Sequence, residues 1–137
     1  MDHVDVVVVG GSFAGMSAAL QLGRARRSVK VFDTKKPRNR FAATAHGFLG
    51  HDGRTPAEIR GLGRTNLEQY PTIEVIEKPV ASIEHKNGTY SVHPEVGEAT
   101  KASRSILAYG LRDELQTIDG LEEAWGRNVM QCPYCHG

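Results

Sequence analysis

The run Asp5-Val6-Val7-Val8-Val9, continuing at once into Gly10-Gly11-Ser12-Phe13-Ala14-Gly15, restricts this chain more than any other feature. An unbroken β-branched run without polar alternation is the pattern of a strand buried on both faces of a parallel sheet. Glycine at the first place of the next turn permits a tight reversal, and at the third lets the next helix pack closely; Ser12 in the middle is small enough to keep the approach open. Met16 to Arg26, with Ala18, Ala19, Leu20 and Leu22, predicts that helix, and Ser28 to Phe32 returns as a second strand ending at Asp33 and Thr34. The result is a complete β-α-β unit. The helix N-terminus would offer N–H groups to a pyrophosphate, and a carboxylate at the end of the second strand can bind ribose hydroxyls. The residues expected at a dinucleotide are therefore Gly10, Gly11, Ser12, Phe13, Ala14, Gly15 and Asp33, with Thr34 beside it. Asp33 suits FAD and NAD equally.

The sequence beyond this unit favours FAD. Residues 35–53 are rich in Gly, Pro, Arg, Asn and His without a period, which marks a functional loop. Thr55-Pro56-Ala57-Glu58 combines an N-cap, proline at the first helical position and a capping box, so a helix should run to about Gln69, weakened by Gly61 and Gly63. After Pro71, short β segments are expected at Ile73–Ile76, Val80–Glu84, Tyr90–His93 and Ser103–Ala108, with Asn87-Gly88 as a hairpin turn. These read as an antiparallel meander and then a return strand into the parallel sheet, an elaboration of FAD-binding units; a plain NAD domain would continue with another helix and strand. Residues 111–128 read as a connecting segment with Trp125 as an apolar anchor, and Val129-Met130-Gln131 as the start of another strand. The expected division is residues 1–112 as the nucleotide-binding segment and 113–137 as connector and start of a further domain.

Lys plus Arg (17) nearly balances Asp plus Glu (16), which gives no reason to expect nucleic acid. The early basic cluster from Arg24 to Arg40 flanks the nucleotide site and leaves a phosphate-facing role open for one or two of its members. Val6–Val9 is far too short to span a membrane, and the start lacks the features of a signal peptide, so a cytoplasmic protein is expected.

Both cysteines lie in Cys132-Pro133-Tyr134-Cys135-His136. As a redox pair, Cys132 and Cys135 would exchange electrons with a flavin or a partner thiol, with His136 moving protons near neutral pH. The same spacing also matches a c-type haem attachment signature, or half a zinc site completed by His46 and His51. His46, His51 and Asp52, in Ala45-His46-Gly47-Phe48-Leu49-Gly50-His51-Asp52-Gly53, are either solvated loop residues or part of a wall beside a flavin.

Taken together, VVVVGGSFAGMSAAL, HGFLGHDG, ILAYGLRDEL and CPYCHG resemble the thioredoxin reductase-like flavoproteins, the low-molecular-weight class of pyridine nucleotide-disulfide oxidoreductases. The resemblance covers the whole chain, and CPYCHG is closest to the dithiol-oxidase-like branch. It implies an α/β, Rossmann-like FAD-binding domain with a parallel sheet, a crossover helix and an inserted antiparallel β-meander, incomplete at its C-terminus. It places the FAD pyrophosphate at Gly10 to Gly15, the adenosine ribose at Asp33 and the adenine near Val80 and Ala81. The flavin side falls near Arg38, Asn39, His46, Gly50 and Asp52, and Ala108-Tyr109-Gly110 approaches the cofactor. Cys135 would face the flavin, Cys132 would meet a thiol or disulfide substrate, and His136 would act as acid/base; no metal is implied. NAD(P)H would be the reductant, or absent in an oxidase, and the protein a homodimer. Tyr109 and Gln116 depart from the family's usual threonine and proline. The family's NAD(P)H domain and returning FAD segment have no counterpart here, so the resemblance is to an N-terminal half.

Overall fold

The computed structural model describes residues 3–130 and Cys132. Two compact units emerge: residues 1–36 with 63–110, and residues 37–62 with 111–137.

The first unit is built on a six-stranded sheet. Its strands are β1 (His3–Val9), β2 (Val29–Phe32), β3 (Ile73–Ile76), β4 (Val80–Lys86), β5 (Thr89–Pro94) and β6 (Thr100–Leu107), in the order β3-β2-β1-β6-β5-β4. β2 and β6 pair with β1 in parallel, and β3 pairs with β2 in parallel. β4, β5 and β6 form antiparallel pairs. The sheet is thus the Rossmann-like core with a meander grafted on.

One expectation requires correction. Ile73–Ile76 is not part of the meander but a third parallel strand, reached through helix α2 (Pro56–Glu68). Its four residues alternate too little to reveal which partner they take. The chain therefore contains both the extra helix and strand of a plain dinucleotide fold and the meander, so the presence of the former does not discriminate.

The core explains the β-branched runs. Val7, Val8 and Val31 are fully buried and Val29 nearly so, each contributing about 1.5–3 kcal/mol by leaving water. Val6, Val8, Val29 and Val31 pack with Met16 and Ala19 of helix α1 (Phe13–Arg24) and with Leu67 of α2. Val4, Val7, Phe32, Val92 and Ala102 form a second cluster, joined by Val80, Ile83 and Tyr90. Its position is dictated by chain length. β3 and β4 lie at opposite edges, about 24 Å apart in a flat sheet at ~4.8 Å per strand, yet the three residues between Ile76 and Val80 reach only about 14 Å. The sheet must curl, bringing the β4–β5 hairpin over the face opposite α1.

Local chemistry sets the ends of these elements. Asp5 Oδ2 accepts hydrogen bonds from the Ser28 N–H (2.8 Å) and hydroxyl (3.0 Å), and Ser28 Oγ accepts one from the Asp5 N–H (2.9 Å), fixing the start of β2 against β1. These bonds, the Ser28 backbone N–H foremost, hold the Asp5 carboxyl below its ordinary range. Helix α1 begins at Phe13 rather than Met16 because the end of the glycine turn is already its first turn, and Arg26 leaves it at φ 57°.

The described residues of the second unit have little regular structure. They hold one 3₁₀ turn (Arg38–Phe41), the segment 42–55, the first residues of α2 and the short helix α3 (Leu121–Ala124). The Thr55–Glu58 capping box forms as expected: Glu58 Oε2 accepts from the Thr55 N–H (2.8 Å), and Thr55 Oγ1 accepts from the Glu58 N–H (3.1 Å). Gly126 packs against the Phe41 side chain. Where a strand was expected at Val129-Met130-Gln131, Val129 makes only an isolated parallel bridge to Trp125, and Gln131 lies outside the described residues. Trp125 is half-buried, as an apolar anchor would be.

Candidate functional site

The strand order locates the site before any side chain is considered. From β1 the chain moves outward to β2 and β3, then crosses back to β6 on the other side of β1. In open α/β sheets, ligands bind at such a switch point, outside the carboxyl ends of the strands. Three glycines converge there. Gly10 has φ +110°, and a Cβ on it would meet the Ala108 carbonyl at the end of β6. A Cβ on Gly15 would meet the Gly10 carbonyl, and one on Gly11 would lie 2.6 Å from Asp33 Cγ and 2.9 Å from Asp33 Oδ2. The glycine turn thus fits directly between β6, α1 and the Asp33 side chain, with no room for larger residues.

The start of α1 suits an anion. The Met16 N–H makes the first helical bond, to the Ser12 carbonyl (2.9 Å), so the amides of Ala14 and Gly15 precede it. Ser12 forms no side-chain cap, and the first turn holds no acidic residue to repel a phosphate. Asp33 is buried at 6% exposure, accepts the Lys35 N–H at Oδ1 (2.9 Å) and lies 3.8 Å from an Arg64 guanidinium nitrogen through Oδ2. Thr34 is exposed beside it. A β-bulge between Val80 and Ser82 sets Ala81 out of register, exposed, while Val80 stays half-buried. Tyr109, beyond the end of β6, is 70% exposed, and Gly110 comes next at φ +70°.

In the second unit, Arg38 is held rather than loose. Its Nε donates to both Asp113 oxygens (2.9 and 3.1 Å), and its Nη2 donates to Oδ1 (2.5 Å). These bonds hold the Asp113 carboxyl below its usual range. They raise the Arg38 guanidinium, burial opposes the rise, and Cys132 adds a smaller electrostatic push in the same direction. Cys132 is exposed and lies within electrostatic reach of Arg38.

Segment 45–54 closes on itself: the Ala45 N–H donates to the Arg54 carbonyl (2.8 Å) and the Gly53 N–H to the Ala45 carbonyl (2.9 Å). Asp52 Oδ1 accepts the Gly47 N–H (2.8 Å) and lies 3.5 Å from His46 Nδ1, while Gly50 turns the tip at φ +79°. Asp52 therefore organises its own loop. Asn39 Oδ1 and His51 Nδ1 are buried side-chain atoms without a hydrogen-bond partner among the described residues. Each is a place where a ligand could supply the missing bond.

The expected adenosine and pyrophosphate residues, Gly10 to Gly15, Asp33, Thr34, Val80, Ala81, Ala108, Tyr109 and Gly110, all lie in the first unit. Arg38, Asn39, His46, Gly50, Asp52 and Cys132 lie in the second. The expectations for Cys135 and His136 fall outside the described residues. Among the described residues, no group of three or more His, Cys, Asp or Glu side chains is placed to hold a metal ion. Nor is any helix long and apolar enough to cross a membrane. Arg64, Glu77 and Asp113 do not stand out in the sequence; their ordinary surface spacing carries no signal until the fold brings Arg64 and Glu77 beside Asp33 in the first unit and Asp113 beside Arg38 in the second.

A parallel sheet with a glycine cradle, a buried strand-end carboxylate and a meander defines the FAD-binding Rossmann-like class of oxidoreductases. The pyridine nucleotide-disulphide oxidoreductase family profile matches residues 4–136, and the chain belongs to that family. Thioredoxin reductase sirT of Leptosphaeria maculans is 37% identical over 97% of this chain and 42% of its own length. Thioredoxin reductase tcpT of Claviceps purpurea is 34% identical over 98% of this chain and 43% of its own. An oxidoreductase from Agrobacterium tumefaciens has the same fold at a TM-score of 0.93 and 48% identity, over 99% of this chain and 46% of that one. The chain spans less than half the length of these relatives.

Proposed function

We propose that this chain is the FAD-binding portion of a thioredoxin reductase-like thiol/disulfide oxidoreductase. The observation that carries the reading is the contact of Gly11 with the buried Asp33 at the switch point, beside an α1 N-terminus without an acidic residue. The amides at the start of α1 would hold the pyrophosphate, and Asp33 would accept hydrogen bonds from the adenosine ribose. Val80 and Ala81 would border the adenine, and Tyr109 and Gly110 would line the approach at the end of β6. In the second unit, Arg38, Asn39 and the His46–Asp52 loop would border the flavin side, where Asn39 Oδ1, buried without a partner among the described residues, fits a hydrogen-bonding group.

FAD bound there would supply two-electron chemistry to the Cys132/Cys135 pair. Cys132, exposed in the second unit, is suited to meet a thiol or disulfide substrate. Cys135 would be the flavin-facing thiol and His136 the proton carrier. NAD(P)H as reductant belongs to the reductase form of this proposal and is dispensable in an oxidase form. Turnover is expected to involve sequence beyond these 137 residues, for which the greater length of the relatives leaves room. A homodimer in a cytoplasmic setting completes the proposal; Leu111, Leu115 and Ile118 give the second unit exposed apolar surface.

Absorbance tests the reading: purified protein mixed with FAD and desalted should retain a flavin spectrum. Reduction of that flavin by dithiol should be lost in Cys132→Ser while the bound flavin remains. A chain that binds NADH or NADPH but leaves FAD in the flow-through would favour the plain nucleotide-binding module instead.

A further inference from the structure

The carboxyl ends of β2 and β3 set two acids side by side. Phe32 pairs with Ile76, so Asp33 and Glu77 are the next residues out of matched strands, and the Asp33 N–H donates to the Ile76 carbonyl (2.9 Å). Adjacent carboxylates repel unless cations intervene. Arg64 of α2 reaches both, with Nη1 3.8 Å from Asp33 Oδ2 and Nη2 3.3 Å from Glu77 Oε1. Lys35 also reaches both. Its N–H donates to Asp33 Oδ1 (2.9 Å), its backbone takes φ 58°, and its Nζ lies 2.6 Å from Glu77 Oε2. Both cations beside the ribose-binding carboxylate are thus drawn onto Glu77, and the four charges sum to zero.

An Arg at this place in a dinucleotide fold accommodates a 2′-phosphate, and a Lys beside it adds a point charge that also binds phosphate. We propose that Glu77 is a specificity-determining residue: by engaging Lys35 and Arg64, it keeps the site at Asp33 selective for an adenosine ribose with a free 2′-hydroxyl and against one carrying a 2′-phosphate. The inference rests on the reading that the adenosine end of FAD seats at Asp33. The Lys35 hydrogen bond, with lesser help from Arg64, holds the Glu77 carboxyl below its ordinary range, so it is charged at neutral pH. Removing its charge leaves the cluster with a net positive charge and two cations able to turn toward a phosphate.

The test is competition against FAD bound to the 137-residue chain, monitored by flavin fluorescence, with adenosine 5′-monophosphate and adenosine 2′,5′-bisphosphate as displacing ligands. In the Glu77→Gln protein, the ratio of their inhibition constants should move toward the bisphosphate by about fivefold, the scale of one partly exposed ion pair. Glu77→Asp, which keeps the charge, should stay near the parent ratio. FAD binding in both proteins with an unchanged ratio would overturn the inference and leave the FAD reading standing. Failure of FAD to bind to either protein would remove both.

Discussion

A Cβ on Gly11 would lie 2.6 Å from the Cγ of Asp33, so the glycine turn after β1 and the acid ending β2 form one surface, with no space between them for a side chain. Gly11→Val should push the Asp33 carboxylate out of place, weakening FAD binding at least about tenfold, the scale of one misplaced charged hydrogen bond. Isothermal titration with FAD measures this, and far-UV circular dichroism checks that the sheet persists.

Gly10 and Gly61 should respond to alanine in opposite directions. Gly10 combines φ +110° with a Cβ position blocked by the Ala108 carbonyl, so Gly10→Ala should lose about 2–4 kcal/mol from strain and overpacking. Gly61 sits in α2 with open space around it, and Gly61→Ala should gain about 0.5–1 kcal/mol. Urea unfolding midpoints at constant slope give both values.

Acid should destabilise the protein in a defined direction. Asp5, Glu58, Glu77 and Asp113 all have carboxyls held below their ordinary values by hydrogen bonds from Ser28, Thr55, Lys35 and Arg38 respectively. A group with a lowered folded-state pKa adds stability that is complete above its unfolded value and is lost as pH falls through the folded one. Melting temperature should therefore be nearly level from neutral pH down to about 5 and fall below about 4, where unfolded carboxylates titrate. Asp113→Asn should lie below the parent at pH 7 and converge with it in acid. A parallel offset at every pH would contradict the Arg38–Asp113 assignment.

The capping box should act as a unit. Thr55→Ala removes the side-chain acceptor for the Glu58 N–H and should cost about 1 kcal/mol. Because Thr55 and Glu58 serve each other, adding Glu58→Ala should cost less than it does alone. A double-mutant cycle in urea measures the difference.

The sequence is informative wherever function depends on backbone shape or burial. The valine run, the glycine turn, the Thr55 cap and Asn87-Gly88 each require a local conformation that few residues provide, so those elements are legible in order and nearly in extent. The partner of Ile73–Ile76 is not legible, because a four-residue strand shows its length but not its register. The cluster of Asp33, Lys35, Arg64 and Glu77 is invisible for a related reason. Arg64 lies 31 positions beyond Asp33 in the chain, and only the parallel pairing of β2 with β3 and the crossover of α2 bring them together. Asp113 is a similar case: 75 residues separate it from Arg38.

Seating of the FAD adenosine and pyrophosphate in the first unit, at Gly10 to Gly15 and Asp33, is open to direct test. Its most direct measurement is equilibrium titration of FAD against the parent chain, Asp33→Ala and Cys132→Ser. The expected result is saturable binding by the parent, equal binding by Cys132→Ser and a loss of at least about tenfold in Asp33→Ala, the scale of losing charged ribose hydrogen bonds. FAD binding that is unchanged in Asp33→Ala, or absent from a folded parent chain, would contradict it.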